Sequence, residues 1–252
     1  MSTTPAAPGS ATVVPRRDRI RGQTVEEIKS AARAQLVAHG PAGIQLRAVA
    51  RDVGLTAPAV YRYFPGIDEL IEAVTVDLYG ELCDTLEAAH AKAPADPMAQ
   101  MLAISRAFRT WAVDHPHEFA LMFATPPTAI GQQPSSACEE ASSRFGSIFA
   151  GQFIAIWEAE AFAVPADDAL APGIAEALDP YWTWLTSSLA PAMPKGAVVR
   201  FLEGWVRIYG CVAMETFGHL SWAMPDGEPM FEQVMRSLAE LVGHPERYAP
   251  PA

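Results

Sequence analysis

Residues 46–64 read LRAVARDVGLTAPAVYRYF. Leu46, Val49, Ala50 and Val53 recur at helical spacing, Gly54-Leu55-Thr56 interrupts the pattern, and a second helical run begins at Ala57 and reaches Tyr63. Thr56 is placed to cap the second run, and Pro58 falls in its first turn, where a missing amide costs little. Gly54 is expected in the left-handed region, which only a residue without a β-carbon adopts cheaply. Val49, Val53, Leu55, Val60 and Phe64 can then meet as a small core. Two short helices joined by a tight glycine-containing turn form a helix-turn-helix, whose second helix is narrow enough to enter a DNA major groove while the first braces it.

Upstream, Thr24-Val25-Glu26-Glu27 has the capping-box form and predicts a helix over 24–39, with Ile28, Ala31, Ala32 and Leu36 on one face and Gly40-Pro41 ending it. Residues 1–15 are Ala, Pro, Ser, Thr and Gly with two valines and no charge, and are expected to be a disordered tail. Downstream of Phe64-Pro65-Gly66 the pattern is helical throughout: 68–90, 97–114, 117–123, 136–162, 169–189, 195–220 and 230–242. Proline-rich breaks at 125–127, 164–165, 191–194 and 225–229 separate these helices. No alternating β-branched run is present, so the expected class is all-α. The expected organisation is a DNA-binding head with a basic arm over 16–67, a helical regulatory and dimerisation domain over 68–243, and a C-terminal tail over 244–252.

The 252 residues are 50% hydrophobic and 19% charged, a globular composition that excludes disorder of the whole chain. No apolar run is long enough for a membrane-spanning helix, and no basic start precedes an apolar stretch, so an unsecreted, cytoplasmic protein without membrane contact is expected. Cys83, Cys138 and Cys211 lie far apart without metal-knuckle spacing and are read as reduced core thiols. The net charge of -11 is unevenly distributed. Between Arg16 and Tyr63 nine basic residues face four acidic ones, a net +5, whereas the remainder carries nine basic and 25 acidic residues, a net -16. A basic head on an acidic body suits a protein that touches a polyanion with one end.

The stretch from Ile28 to Leu70, with Ala31-Ala32, Gly40, Val49-Ala50, Gly54, Val60-Tyr61, Tyr63-Phe64 and Asp68-Glu69-Leu70, resembles the DNA-binding domain of the TetR (tetracycline-repressor-like) family. The resemblance implies that Arg47, Ala57, Pro58, Ala59 and Tyr61 face the groove, that Arg62 lies at its edge, and that Thr56 and Tyr63 bind phosphates. Ala57, Pro58 and Ala59 offer no hydrogen bonds and can only pack on thymine methyls, which leaves Arg47 and Arg62 as guanine readers. Arg16, Arg17, Arg19 and Arg21 form a basic arm that either enters a minor groove and tracks phosphates or is a solvated linker. Gly66 and Ile67 stand where many members carry a small cap and a phosphate-binding lysine, and Gln45 replaces the usual Ser or Thr cap. The segment 201–219 is similar to the Trp-His-Gly type of regulatory domain in the same family, with Tyr209 in place of its signature histidine.

In the body, Ala197, Gly204, Cys211 and Gly218 fall seven apart and form a stripe of small side chains, read as a homodimer seam or as close packing within one subunit. Trp111, Phe119, Met122, Phe123, Phe153, Trp157, Trp182, Trp205 and Tyr209 are candidates for an apolar ligand pocket, with Arg106, Arg109 or Tyr209 as polar anchors. Glu215 with His219, and His115 with His117, lack a third ligand at recognisable spacing, so no metal or cofactor is expected. Neither a nucleophile elbow nor a phosphate-cradling loop is present, which disfavours an enzyme. The expected protein is a homodimeric, ligand-responsive repressor of a palindromic double-stranded operator, from a bacterium of high GC content. The rivals are a helical small-molecule binding protein or enzyme with an N-terminal docking module, and an activator on the same DNA.

Overall fold

A computed structural model describes residues 16–124, 135–190 and 192–251. The expected tail over 1–15 and the break at 125–127 lie outside the described residues. Every regular element among the described residues is helical, and the chain divides into two compact units after Val74.

The first unit holds α1 (Arg16–His39), α2 (Leu46–Asp52), α3 (Ala57–Val60) and the beginning of α4 (Ile67–Lys92). Ile28, Ala32 and Leu36 of α1 and Val49 and Val60 of the helix-turn-helix are fully buried, as their helical spacing requires. Gly54 has φ 68°, and Leu55 N–H donates to the Ala50 carbonyl at 2.8 Å, so the turn is a left-handed helix stop that places Thr56 outside α2. Helix α1 begins eight residues before the expected capping box, and Thr24 caps nothing: its hydroxyl donates to the Ile20 carbonyl at 3.1 Å within the helix. Helix α3 ends at Val60 rather than Tyr63, because Pro65 cannot continue it and residues 62–63 tighten into bonds to the third carbonyl back.

A buried amide organises this unit. Gln35 sits on the apolar face of α1; its side-chain oxygen accepts the Gln45 backbone N–H at 3.0 Å and its nitrogen donates to Asp52 at 2.8 Å. Gln45 makes no side-chain cap, and Gln35 satisfies from another helix the backbone N–H of the cap residue itself. Replacing Gln35→Leu removes the acceptor of the Gln45 N–H and the donor to Asp52, and is expected to lower stability by about 1 kcal/mol in chemical denaturation.

The second unit contains the rest of α4 with α5 (Pro97–Asp114), α6 (Pro116–Phe119), α7 (Ser136–Ala159), α8 (Ile174–Ser188), α9 (Lys195–Thr216) and α10 (Glu228–Leu241). Asp96 caps α5 by accepting from Ala99 N–H at 2.8 Å, and a single π-helical turn, Ala120–Ala124, prolongs α6. Helix α8 starts five residues later than expected because Pro172-Gly173 breaks the chain, with Gly173 at φ 83°. The ring of Phe108 lies at the centre, within about 6 Å of the rings of Phe119, Phe123, Phe145, Phe149 and Trp205. Gln152, buried on α7, accepts from His90 at 3.0 Å and donates to the Pro97 carbonyl at 2.7 Å, tying α4, α5 and α7. The three cysteines are free; Cys83 and Cys211 are buried, Cys138 half-buried, and burial pushes the Cys83 thiol up to about 11.

Residues 244–249 are not a free tail. His244 is buried, the Tyr248 hydroxyl donates to Glu232 at 3.0 Å, and Arg106 donates to the Ala249 carbonyl at 2.6 Å. Burial alone would raise the Glu232 carboxyl, but hydrogen bonds from Arg106 and Tyr248 and the guanidinium charge hold it below its usual value. A lowered folded value means that this contribution is complete above the unfolded carboxylate pKa, about 4.3, and is lost as pH falls through the folded value. Melting temperature should therefore fall more steeply on acidification below about pH 4.3 in the native chain than in Glu232→Gln, as followed by circular dichroism.

Candidate nucleic-acid interface

The first unit presents a basic, sparsely functionalised face. Val60 points inward, which turns Tyr61, 53% exposed, and the exposed Pro58 and Arg62 outward, with Ala57 and Ala59 half-exposed between them. Thr56 has extended backbone at the start of α3, is exposed, and makes no capping hydrogen bond, so its hydroxyl is available to an external acceptor. Arg47 is exposed in the first turn of α2. Arg16, Arg17, Arg19 and Arg21 are all exposed on the first two turns of α1, so the arm is helical rather than an extended strand.

Arg21 brings that arm to the helix-turn-helix. Its guanidinium lies 5.3 Å from the centroid of the Tyr63 ring, and its Nη2 reaches the Arg62 carbonyl at 3.5 Å. The residues expected at the end of the second helix and those of the arm thus meet, a long-range contact with no signature in local spacing. Gln35 was also absent from the sequence expectation; its signal is a polar residue seven positions after Ile28, on the buried stripe of α1.

The candidate residues of the body fall in different settings. Among the nine candidate pocket residues, Phe119, Phe123 and Tyr209 belong to the aromatic core around Phe108, where the Tyr209 hydroxyl donates to the Phe123 carbonyl at 3.1 Å. Met122 is buried, Trp111 stacks on His115, Trp157 packs on Phe162, and Trp182 donates to the Met193 carbonyl at 2.9 Å. Only Phe153 and Trp205 of the nine line a cavity of about 40 Å³ among α5, α7, α9 and α10. Next, the expected anchors are occupied: Arg106 grips Glu232 at 2.8 and 2.7 Å, and Arg109 grips Glu215 at 2.8 and 2.6 Å. These forks join α5 to α10 and α9 and hold the bundle rather than a ligand. Finally, of the two readings of the small-residue stripe, its burial fits close packing within one subunit. Ala197, Gly204 and Cys211 are buried within the subunit, Gly204 against Leu238 of α10. Gly218 lies past the end of α9 at φ 71°, with His219 N–H donating to the Met214 carbonyl at 2.7 Å, so it serves as a helix stop. Among the described residues no three metal-ligating side chains converge, and Glu215 is committed to Arg109.

Comparison with known proteins agrees with this geometry. Residues 28–74 match the family described as bacterial regulatory proteins, tetR family, and residues 101–238 match the tetracyclin repressor-like C-terminal domain. The HTH-type transcriptional regulator Rv1816 of Mycobacterium tuberculosis is 30% identical over 245 residues, covering 90% of this chain and 95% of the relative. The chain belongs to the TetR family. This TetR-family regulator is also similar to the crystal structure of the regulatory protein SCO4313, at 28% identity and a TM-score of 0.67, over 90% of this chain and 100% of that one. The fold is shared with RolR, crystallised with resorcinol, at 13% identity and a TM-score of 0.55, over 93% of this chain and 99% of that one. Among the described residues no helix is long and apolar enough to cross a membrane.

Arg21→Ala is expected to leave the melting temperature nearly unchanged, as for other exposed substitutions within about 0.5 kcal/mol. It should nevertheless weaken binding to duplex DNA and flatten the salt dependence of that binding by about one unit of slope, measured by fluorescence anisotropy across a salt series.

Proposed function

We propose that this TetR-family regulator is a homodimeric repressor that binds a palindromic operator and is released by a small, mainly hydrophobic ligand. The observation that carries the reading is the outward face of α3: Tyr61 and Arg62 stand clear of the fold beside an uncapped Thr56, while Val60 alone anchors the helix. In this reading Arg47 and Arg62 donate to guanine edges, Ala57, Pro58 and Ala59 pack on thymine methyls, and Tyr61 reaches into the groove. Thr56, Tyr63 and the arm residues Arg16, Arg17, Arg19 and Arg21 hold phosphates, and the excess negative charge of the body keeps it away from them.

Dimerisation is supported by apolar side chains that stand exposed among the described residues. Val206, 68% exposed, and Met214 stand two turns apart on α9, with Trp222, 85% exposed, just beyond its end. A second copy seated there would supply a second recognition helix, and two such helices reading half-sites about one helical turn of DNA apart would read a palindrome by symmetry. The apolar cavity in the body supports an effector, as does the resorcinol bound by RolR. Helix α4 contributes residues to both compact units and is the element through which an effector would alter the heads. A coupling of about 1–3 kcal/mol would change operator affinity some 5- to 150-fold, and operator would weaken effector binding by the same factor. The protein would act in the bacterial cytoplasm, on the nucleoid.

Selection of bound sequences from random duplex DNA should enrich a palindrome with the native chain and none with a variant carrying Arg47→Ala and Tyr61→Ala. No enrichment at low salt from folded protein would refute sequence-specific binding. Sedimentation should give a dimer, and Val206→Glu with Met214→Glu should give a monomer with weakened operator binding.

A further inference from the structure

Three arginines of the second unit use their guanidinium edges in the same way. Arg106 and Arg109 each present the Nε–Nη2 edge to one carboxylate, and Arg144 does the same with Glu87 at 3.1 and 2.8 Å. Arg200 on α9 departs from the pattern. Its Nη1 donates to Glu203 at 2.8 Å, one turn away on the same helix, while its Nε is buried with no acceptor. A buried N–H without a partner is costly, and one that belongs to a cation is more so.

Arg200 is also the one charged residue lining the cavity of about 40 Å³ among α5, α7, α9 and α10. The rest of the wall is apolar and includes Met98, Met101, Phe153, Phe201 and Trp205. Two of these walls are unbranched methionines, which repack readily around a guest. Phe153 and Phe201, with ring centroids 5.4 Å apart, also line a second void of about 10 Å³ that extends toward Tyr181, Leu185 and Met193. A guest larger than these voids would have to displace the two rings that line both, opening one apolar chamber. Such a chamber lacks one thing that its chemistry calls for, a planar acceptor at the guanidinium edge.

We propose that this cavity binds a small apolar carboxylate, whose oxygen accepts from Arg200 Nε while its hydrocarbon part fills the space between Phe153, Phe201 and Trp205. The site assigns a chemical class to the effector of the reading above and rests on it. It also replaces Arg106 and Arg109, which are committed to Glu232 and Glu215, with a guanidinium whose Nε has no acceptor.

The test titrates the full chain with hexanoate, phenylacetate and the uncharged hexan-1-ol, followed by calorimetry and by the fluorescence of the tryptophans, of which Trp205 lines the cavity. The native chain should bind either carboxylate at least about tenfold more tightly than the alcohol. In Arg200→Met that preference should vanish. Arg200→Lys keeps the charge but not the planar edge, and should recover only a small part of it. Melting curves of both variants confirm folding, and Arg200→Lys carries the test if the methionine variant does not fold. Absence of carboxylate binding by the native chain, or a preference that survives in a folded variant, overturns the proposal. Operator affinity is read from the same samples. Carboxylate binding that leaves operator affinity unchanged supports the site and refutes effector control. An alcohol that binds and releases operator, with no carboxylate preference, refutes the site and leaves effector control standing.

Discussion

The reading head depends on one buried amide. Helix α2 has seven residues, too few to persist alone, and its first residue follows a glutamine that does not cap. Gln35 accepts the N–H at one end of α2 and donates to the carboxylate at the other, so α1 grips the short helix at both termini. The orientation of α3 follows, because α2 and α3 are joined only by the Gly54 stop and the contacts of Val49 and Val60 with the same core. A leucine would pack in place of Gln35, but it would not fix the rotation of α2 about its axis. Polar specificity in a small apolar core accomplishes here what a longer helix would achieve by packing alone.

The body is organised by a different rule. A segment with so large an acidic excess would repel itself if its carboxylates were left solvated and unpaired. Arg106 and Arg109, one turn apart on α5, take Glu232 and Glu215 from α10 and α9 in side-on forks, with all four side chains largely withdrawn from solvent. Three helices are thereby fixed in rotation as well as in position. Truncating one member of such a pair strands the other, so the forks are constraints on the fold more than sources of net stability.

How much was legible in the sequence follows from how local each feature is. The helix-turn-helix, the left-handed Gly54 and the buried face of α1 depend on residues within a turn or two of one another, and their spacing was enough. The all-helical class was legible for the same reason. Features set by distant partners were not. Nothing near Arg106 or Arg109 indicates that their carboxylates lie 126 and 106 residues further along the chain, so both looked like free anchors. Aromatic density around Trp111 and Phe119 signalled burial, which a core and a pocket share, and the core claimed most of it. Small residues at seven-residue intervals signalled close approach without saying whether the neighbour was α10 or another copy. The arm's helical form and the seat of Arg21 on Tyr63 likewise depend on a contact some forty residues away in sequence.

The construction of α3 separates what holds the helix from what it displays. Val60 is fully buried and carries the packing, whereas Ala57 and Ala59 are small, partly exposed and hydrogen-bonded only through their backbone. Exchange of either alanine for serine, asparagine or glutamine would add a donor or acceptor to the display without disturbing the core. Binding preference can therefore drift by single substitutions along a path on which every intermediate remains folded. A duplicated copy of such a gene could change the DNA it prefers while the rest of its chain stayed as it was.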